Sequence, residues 1–131
     1  RSGTTNIGST TKDGVLTVAT NIEVGQDNNR DGHLNVIGTG TVVTANNFYV
    51  RSPDDASRRS TANITGDLIV GGGTSGTIEL SRYSDLTVDG TTTLNGNATI
   101  TVADGSGATS SFGCSGSAAV GHGRQIASLL R

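Results

Sequence analysis

The residues of this chain best placed to do chemistry are Asp27, Asn29 and Asp31, spaced as D-x-N-x-D and closed by Gly32. Oxygen-bearing side chains at alternate positions can converge on a hard cation when a glycine permits the sharp turn that follows. Leu34 stands at the apolar position of such a loop, so Asp27, Asn29 and Asp31 are the candidate calcium ligands. The twelfth position, where a bidentate acid belongs, is Gly38, and no helical pattern flanks the segment. A solvated Asn/Asp turn between two strands accounts for it with fewer demands.

Other constellations carry less. Gly71-Gly72-Gly73-Thr74-Ser75-Gly76 has the form G-x-G-x-x-G, but a pyrophosphate needs the N-terminus of a helix next. The strand-like Thr77-Ile78-Glu79-Leu80 follows instead, so this is a turn. Sugar hydrolysis needs two or more carboxylates on one groove. Among Asp67, Glu79, Asp85 and Asp89 only the last two lie near each other in sequence, and solvated surface acids are the simpler reading. Cys114 and His122 could supply a nucleophile and a base, yet no orienting third residue is evident. Asn63-Ile64-Thr65 and Asn97-Ala98-Thr99 are glycosylation sequons, at a frequency expected by chance in a chain rich in Asn and Thr.

Threonine is the most insistent of the surface residue types. Thr91-Thr92-Thr93, and Thr99 with Thr101, raise the question of an ice-binding face, because Thr-x-Thr ladders on a flat solenoid side can order water. Aligned on their apolar positions, the other repeats set His33 and Asn35, Asn63 and Thr65, and Thr77 and Glu79 beside Thr99 and Thr101. That ladder is broken, and β-propensity explains the threonines.

Such residues need a scaffold, and composition bounds it. The chain has 131 residues, the length of one domain, with 20 Gly, a single proline (Pro53), 15% charged and 3% aromatic residues. Thr, Asn, Ser, Gly and Val dominate, which is the chemistry of strands and turns. With hydrophobic residues at 32%, a thick globular core would be hard to fill, whereas a thin stack of Val, Ile and Leu between sheets is within reach. A net charge of -2 gives no electrostatic reason to expect nucleic acid or an anionic membrane. Arg51, Arg58 and Arg59 are interleaved with Asp54 and Asp55 and read as a solvated loop. No apolar run of membrane-spanning length is present. Cys114 stands alone, so no intramolecular disulfide forms. The chain opens on Arg1 in mid-pattern, which reads as a processed protein or an excised fragment.

The elements that would position these residues recur. Asn21-Ile22-Glu23-Val24-Gly25, Asn47-Phe48-Tyr49-Val50, Asp67-Leu68-Ile69-Val70-Gly71 and Thr92-Thr93-Leu94-Asn95-Gly96 are variants of one unit, repeated at uneven intervals of roughly twenty-odd residues. A second apolar set falls at Val36, Ile64, Leu80 and Val102. Alternation such as Ile78-Glu79-Leu80 points one side chain inward and the next outward. The reading is an all-β parallel β-helix (β-solenoid) of about four to five short coils, whose core comprises Val18, Val24, Val36, Val50, Ile64, Val70, Leu80, Val88, Leu94 and Val102. Residues 1–13 are an incomplete first coil or N-terminal extension, 14–104 the repeats, and 105–131 a small-residue linker and tail or cap. Arg51 to Ser60 is expected to bulge from the rod, and Ala118 to Leu130 to hold a short helix.

Gly32-His-Leu-Asn-Val36, Val43-Thr-Ala-Asn-Asn-Phe-Tyr-Val50 and Asp85-Leu-Thr-Val-Asp-Gly-Thr-Thr-Thr-Leu94 resemble the autotransporter-passenger-type repeats of bacterial exported β-solenoid surface proteins. The resemblance covers about residues 14–104 and implies a right-handed helix, an extracellular or cell-surface location of bacterial type, and use as an adhesin or fibre. It brings no catalytic residues. The expected function is therefore a non-catalytic structural or adhesive rod that stacks end to end with copies of itself, with surface glycans as candidate partners and calcium as a candidate ion. A carbohydrate- or ice-binding module is the alternative, and a polysaccharide-acting enzyme the second.

Overall fold

Inward apolar positions alternate with outward polar ones along nearly every strand, and parallel stacking buries the inward set. A computed structural model describes residues 3–26, 30–38, 40–53, 55, 57–71, 75–97, 99–103, 111–114 and 118–120. It contains β1 (Gly3–Gly8), β2 (Val15–Val24), β3 (Gly32–Ile37), β4 (Val42–Arg51), β5 (Ser60–Ile64) and β6 (Asp67–Val70). These are followed by β7 (Thr77–Ser81), β8 (Ser84–Val88), β9 (Thr92–Leu94), β10 (Thr99–Ala103), β11 (Ser111–Cys114) and β12 (Ala118–Val120). The chain is an all-β parallel β-solenoid, with no helix among the described residues.

The coil has three faces. The first is a five-stranded parallel sheet in the order β1-β3-β5-β8-β11. The other two belong to one bent sheet. β2 and β4 each run round its corner, with a register shift between Val18 and Asn21. The first half of β4 continues into β6 and β9, forming the second face. Its second half continues into β7 and β10, forming the third.

Inside, each face contributes two columns. Leu34 and Val36, Ala62 and Ile64, and Leu86 and Val88 line the first face. Val43 and Ala45, with Leu68 and Val70, line the second, and Phe48 and Val50, with Ile78 and Leu80, line the third. All of these are buried in one apolar cluster. Of the core residues predicted from sequence, Val24, Val36, Val50, Ile64, Val70, Leu80, Val88 and Leu94 are buried. Val18 and Val102 are only partly covered, since they sit towards the two ends of the stack.

The register differs from the one read from sequence. Val24, Val50, Val70 and Leu94 are not one column: Val24 and Val50 stack on Leu80 and Val102 in the third face, and Val70 stacks on Leu94 in the second. Val36 and Ile64 belong with Val88 on the first face. Likewise Thr99 and Thr101 align with Thr77 and Glu79 and then with Asn47 and Tyr49, not with His33 and Asn35. Corners of unequal length are the cause. Ladder partners on the first face are 29 and 28 residues apart at Asn6, Asn35 and Asn63, but 26 and 30 apart on the third at Asn21, Asn47 and Thr77.

The stack also runs past residue 104. β11 pairs with β8, and β12 pairs with β9. Ala118–Val120 is therefore strand where the sequence suggested the start of a helix, because an exposed ladder on Thr92–Leu94 outweighs the weak local preference of two alanines. Residues 121–131 lie outside the described residues. At the other end, Gly3–Gly8 stacks on β3 in continuous register, so the N-terminal segment supplies a coil face.

Buried hydroxyls hold the corners. The Ser60 hydroxyl donates to the Arg51 carbonyl at 2.7 Å and accepts the Gly32 N–H at 3.1 Å. The Ser52 hydroxyl donates to the Tyr83 carbonyl at 2.6 Å and accepts the Ser60 N–H at 2.7 Å. These bonds seat the 52–59 loop, and Ser52 and Pro53 at its base are buried. Gly25, at φ 78°, closes the same corner; a Cβ there would stand 2.2 Å from both the Arg51 carbonyl oxygen and the Ser60 hydroxyl.

Candidate functional surfaces

Each outward face carries its own chemistry, set by which side chains the register stacks. On the first face, Asn35 donates to Asn6 at 2.8 Å and Asn63 donates to Asn35 at 2.9 Å, making an amide ladder. Beside it His33 Nδ1 is hydrogen-bonded to the Thr61 hydroxyl at 2.9 Å, and His33 Nε2 lies 3.7 Å from Asp31. One coil further, Arg59 makes a two-pronged contact with Asp85 at 2.8 and 2.7 Å, and Ser111 donates to the same carboxylate at 2.6 Å. Partial burial pushes the Asp85 carboxyl up, but the hydrogen bonds from Arg59 and Ser111, with the Arg59 charge, outweigh it and hold the group below the usual carboxylate range. Arg59 is raised in return, chiefly by its hydrogen bond to Asp85.

The third face is held by a cation. Arg51 reaches Glu79 at 3.1 Å and Glu23 at 3.3 Å, and its guanidinium lies 4.4 Å from the centre of the Tyr49 ring. Glu23, Tyr49 and Glu79 are consecutive in one column, so Arg51 ties three coils together. The sequence reading of Arg51 and Arg59 as solvated loop charges is thereby corrected; of that cluster, Arg58 pairs within the loop, with Asp55 at 3.8 Å. Only the register, which sequence did not supply, brings Glu23, Glu79 and Asp85 to these arginines.

The candidate acids do not converge. Asp67, Glu79 and Asp85 stand on the second, third and first faces respectively. Asp67 accepts the Thr91 N–H at 2.8 Å, and Asp89 sits in the turn after β8, its own N–H bonded to the Ile64 carbonyl. Asp31, His33 and Thr61 follow the order acid, base, hydroxyl along the first face, and Thr61 does not line the cavities that Asp31 and His33 border.

For the candidate calcium loop, Asp27 and Asn29 lie outside the described residues, and Asp31 turns toward His33. No group of three or more His, Cys, Asp or Glu residues gathers among the described residues. Cys114 occupies the register position beside Val88, and His122 lies outside the described residues. Of the sequon residues, Asn63 is engaged in the amide ladder and Asn97 is exposed. No helix of the described residues is long and apolar enough to cross a membrane.

Among the described residues, nothing covers the β1–β2 end of the coil. A cavity of about 390 Å³ is lined by Ile7, Leu16, Ile22, Val24 and Leu34, the inward residues of the first coils. A polar recess of about 580 Å³ adjoins it, bounded by Glu23, Gln26, Arg30 and Asp31. Val15 beside them is 66% exposed, the large hydrophobic side chain most open to solvent among the described residues. This apolar mouth with a charged rim was invisible in sequence, because Leu16 and Ile22 look like any other core residue.

The fold and these surfaces define a parallel β-solenoid. Compared with protein-family models, with curated proteins and with solved structures, the chain has no match.

Proposed function

We propose that this chain is a non-catalytic structural or adhesive rod of a bacterial-type cell surface, joined end to end with copies of itself. The observation that carries this reading is the open mouth: inward residues of the first coils line a cavity where one more coil would complete the core. Strands β1 and β2 at that end present ladder groups on the side away from β3 and β4, a template for another chain. The outward ladders support the same reading, since Arg51, Arg59 and the asparagines are spent on binding coil to coil. The resemblance to passenger-type repeats points to export, and the polar first and third faces suit contact with surface glycans.

Sedimentation velocity across a concentration series tests it. Assembly should grow with concentration and be abolished by Leu16→Asp, which places charge in the mouth. Monomer at every concentration in the unaltered chain would overturn the proposal.

A further inference from the structure

The second face differs from the other two in carrying almost no charge. Its outward positions from β2 to β9 are Val15 and Thr17, Val42 and Thr44, Asp67 and Ile69, then Thr91, just ahead of β9, and Thr93 within it. Seven of these eight are Val, Thr or Ile. β-branched side chains hold one preferred χ1, so the array is stiff before anything binds. The exception, Asp67, has its carboxylate turned to the Thr91 N–H at the coil corner. The register shift of the bent sheet falls between Val18 and Asn21, outside this face, which is therefore regular across its strands.

The result is a grid of methyl and hydroxyl groups with a strand spacing of about 4.8 Å and an outward-residue spacing of about 6.6 Å along each strand. Four strands of such a grid cover on the order of 200 Å², far below the roughly 800 Å² per partner of a stable protein interface. The face holds no aromatic residue on which a sugar ring could stack. What it offers is a regular array of threonine hydroxyls, at Thr17, Thr44, Thr91 and Thr93, set among the methyl groups of Val15, Val42 and Ile69, with its one carboxylate engaged by the Thr91 N–H. A periodic array of that kind suits ordered water better than a protein or a sugar. We propose that the second face binds ice, its methyl groups holding a cage of water that the threonine hydroxyls anchor.

This is not the ladder the sequence suggested. Thr101 shares its column with Glu23, Tyr49 and Glu79, and Thr99 shares its column with Asn21, Asn47 and Thr77, on the face that Arg51 ties with charge.

Ice recrystallisation inhibition and partition into a slowly grown ice hemisphere, measured on the purified chain, test the proposal. Activity should be lost in Thr44→Tyr and in Thr93→Tyr, which break the grid from outside, and kept in Thr101→Tyr on the third face. Circular dichroism and the sedimentation profile should be unchanged in all three, so that loss of ice binding is separate from loss of assembly. Inactivity of the unaltered chain would overturn it. Equal activity in the second-face variants, if folded, would do the same.

Discussion

At the scale of single residues, the chain spends its charged and amide groups on holding coils together. The Arg59–Asp85 contact illustrates how. Its Asp85 carboxyl lies below the ordinary 3.8 in the folded chain and returns to it on unfolding. A depressed folded value contributes stability that is complete above about pH 3.8 and lost as pH falls through the lower folded value. Asp85→Asn should therefore flatten the acid limb of a stability-against-pH curve and cost about 0.5–1 kcal/mol at pH 7, a modest figure because Arg59 is more than a third exposed to screening solvent. Urea melts at pH 3 and pH 7 read this directly, and parallel curves for the two proteins would refute it. Gly25 is a sharper case. An alanine methyl at φ 78° has to displace the Arg51 carbonyl or the Ser60 hydroxyl, so Gly25→Ala should cost about 2 kcal/mol or more in the same melts. A neutral result would mean that the corner is looser than its hydrogen bonds suggest.

At the scale of elements, the strands were legible and their partners were not. Alternations such as Ile78-Glu79-Leu80 and Thr99-Ile100-Thr101 marked strands correctly, since inward burial demands a period of two. Phe48, Leu68, Ile78 and Leu86 are buried yet absent from the expected core, because the repeat pattern shows two apolar sets where the three faces hold two inward columns each. Register depends on corner length, and corners such as the 52–59 loop carry no periodic signal. That is why Arg51, written beside Asp54 and Asp55, finds its partners in Glu23 and Glu79. The corrected columns give a direct test. Val70→Asp and Leu94→Asp, buried neighbours on the second face, should each cost about 3–5 kcal/mol and collapse the β-sheet circular dichroism signal. Thr101→Asn, exposed on the third face, should change stability by no more than about 0.5 kcal/mol. Normal melting of either buried variant would refute the register.

At the scale of the molecule, a solenoid with few aromatics is stable because every coil covers the apolar face of the next. Among the described residues the coil at the β1–β2 end has no such cover, and there Ile7, Leu16 and Val18 remain only partly buried against the core. Hydrogen exchange should be slowest in β4, β6 and β7, which have neighbours on both sides, and fastest in β1 and in the first half of β2. The central claim is that this uncovered coil is a joint. Electron microscopy of the purified chain at micromolar concentration, with and without calcium, tests it most directly. The account expects filaments whose axial repeat is near 4.8 Å, longer as concentration rises. Discrete single particles under both conditions would contradict it.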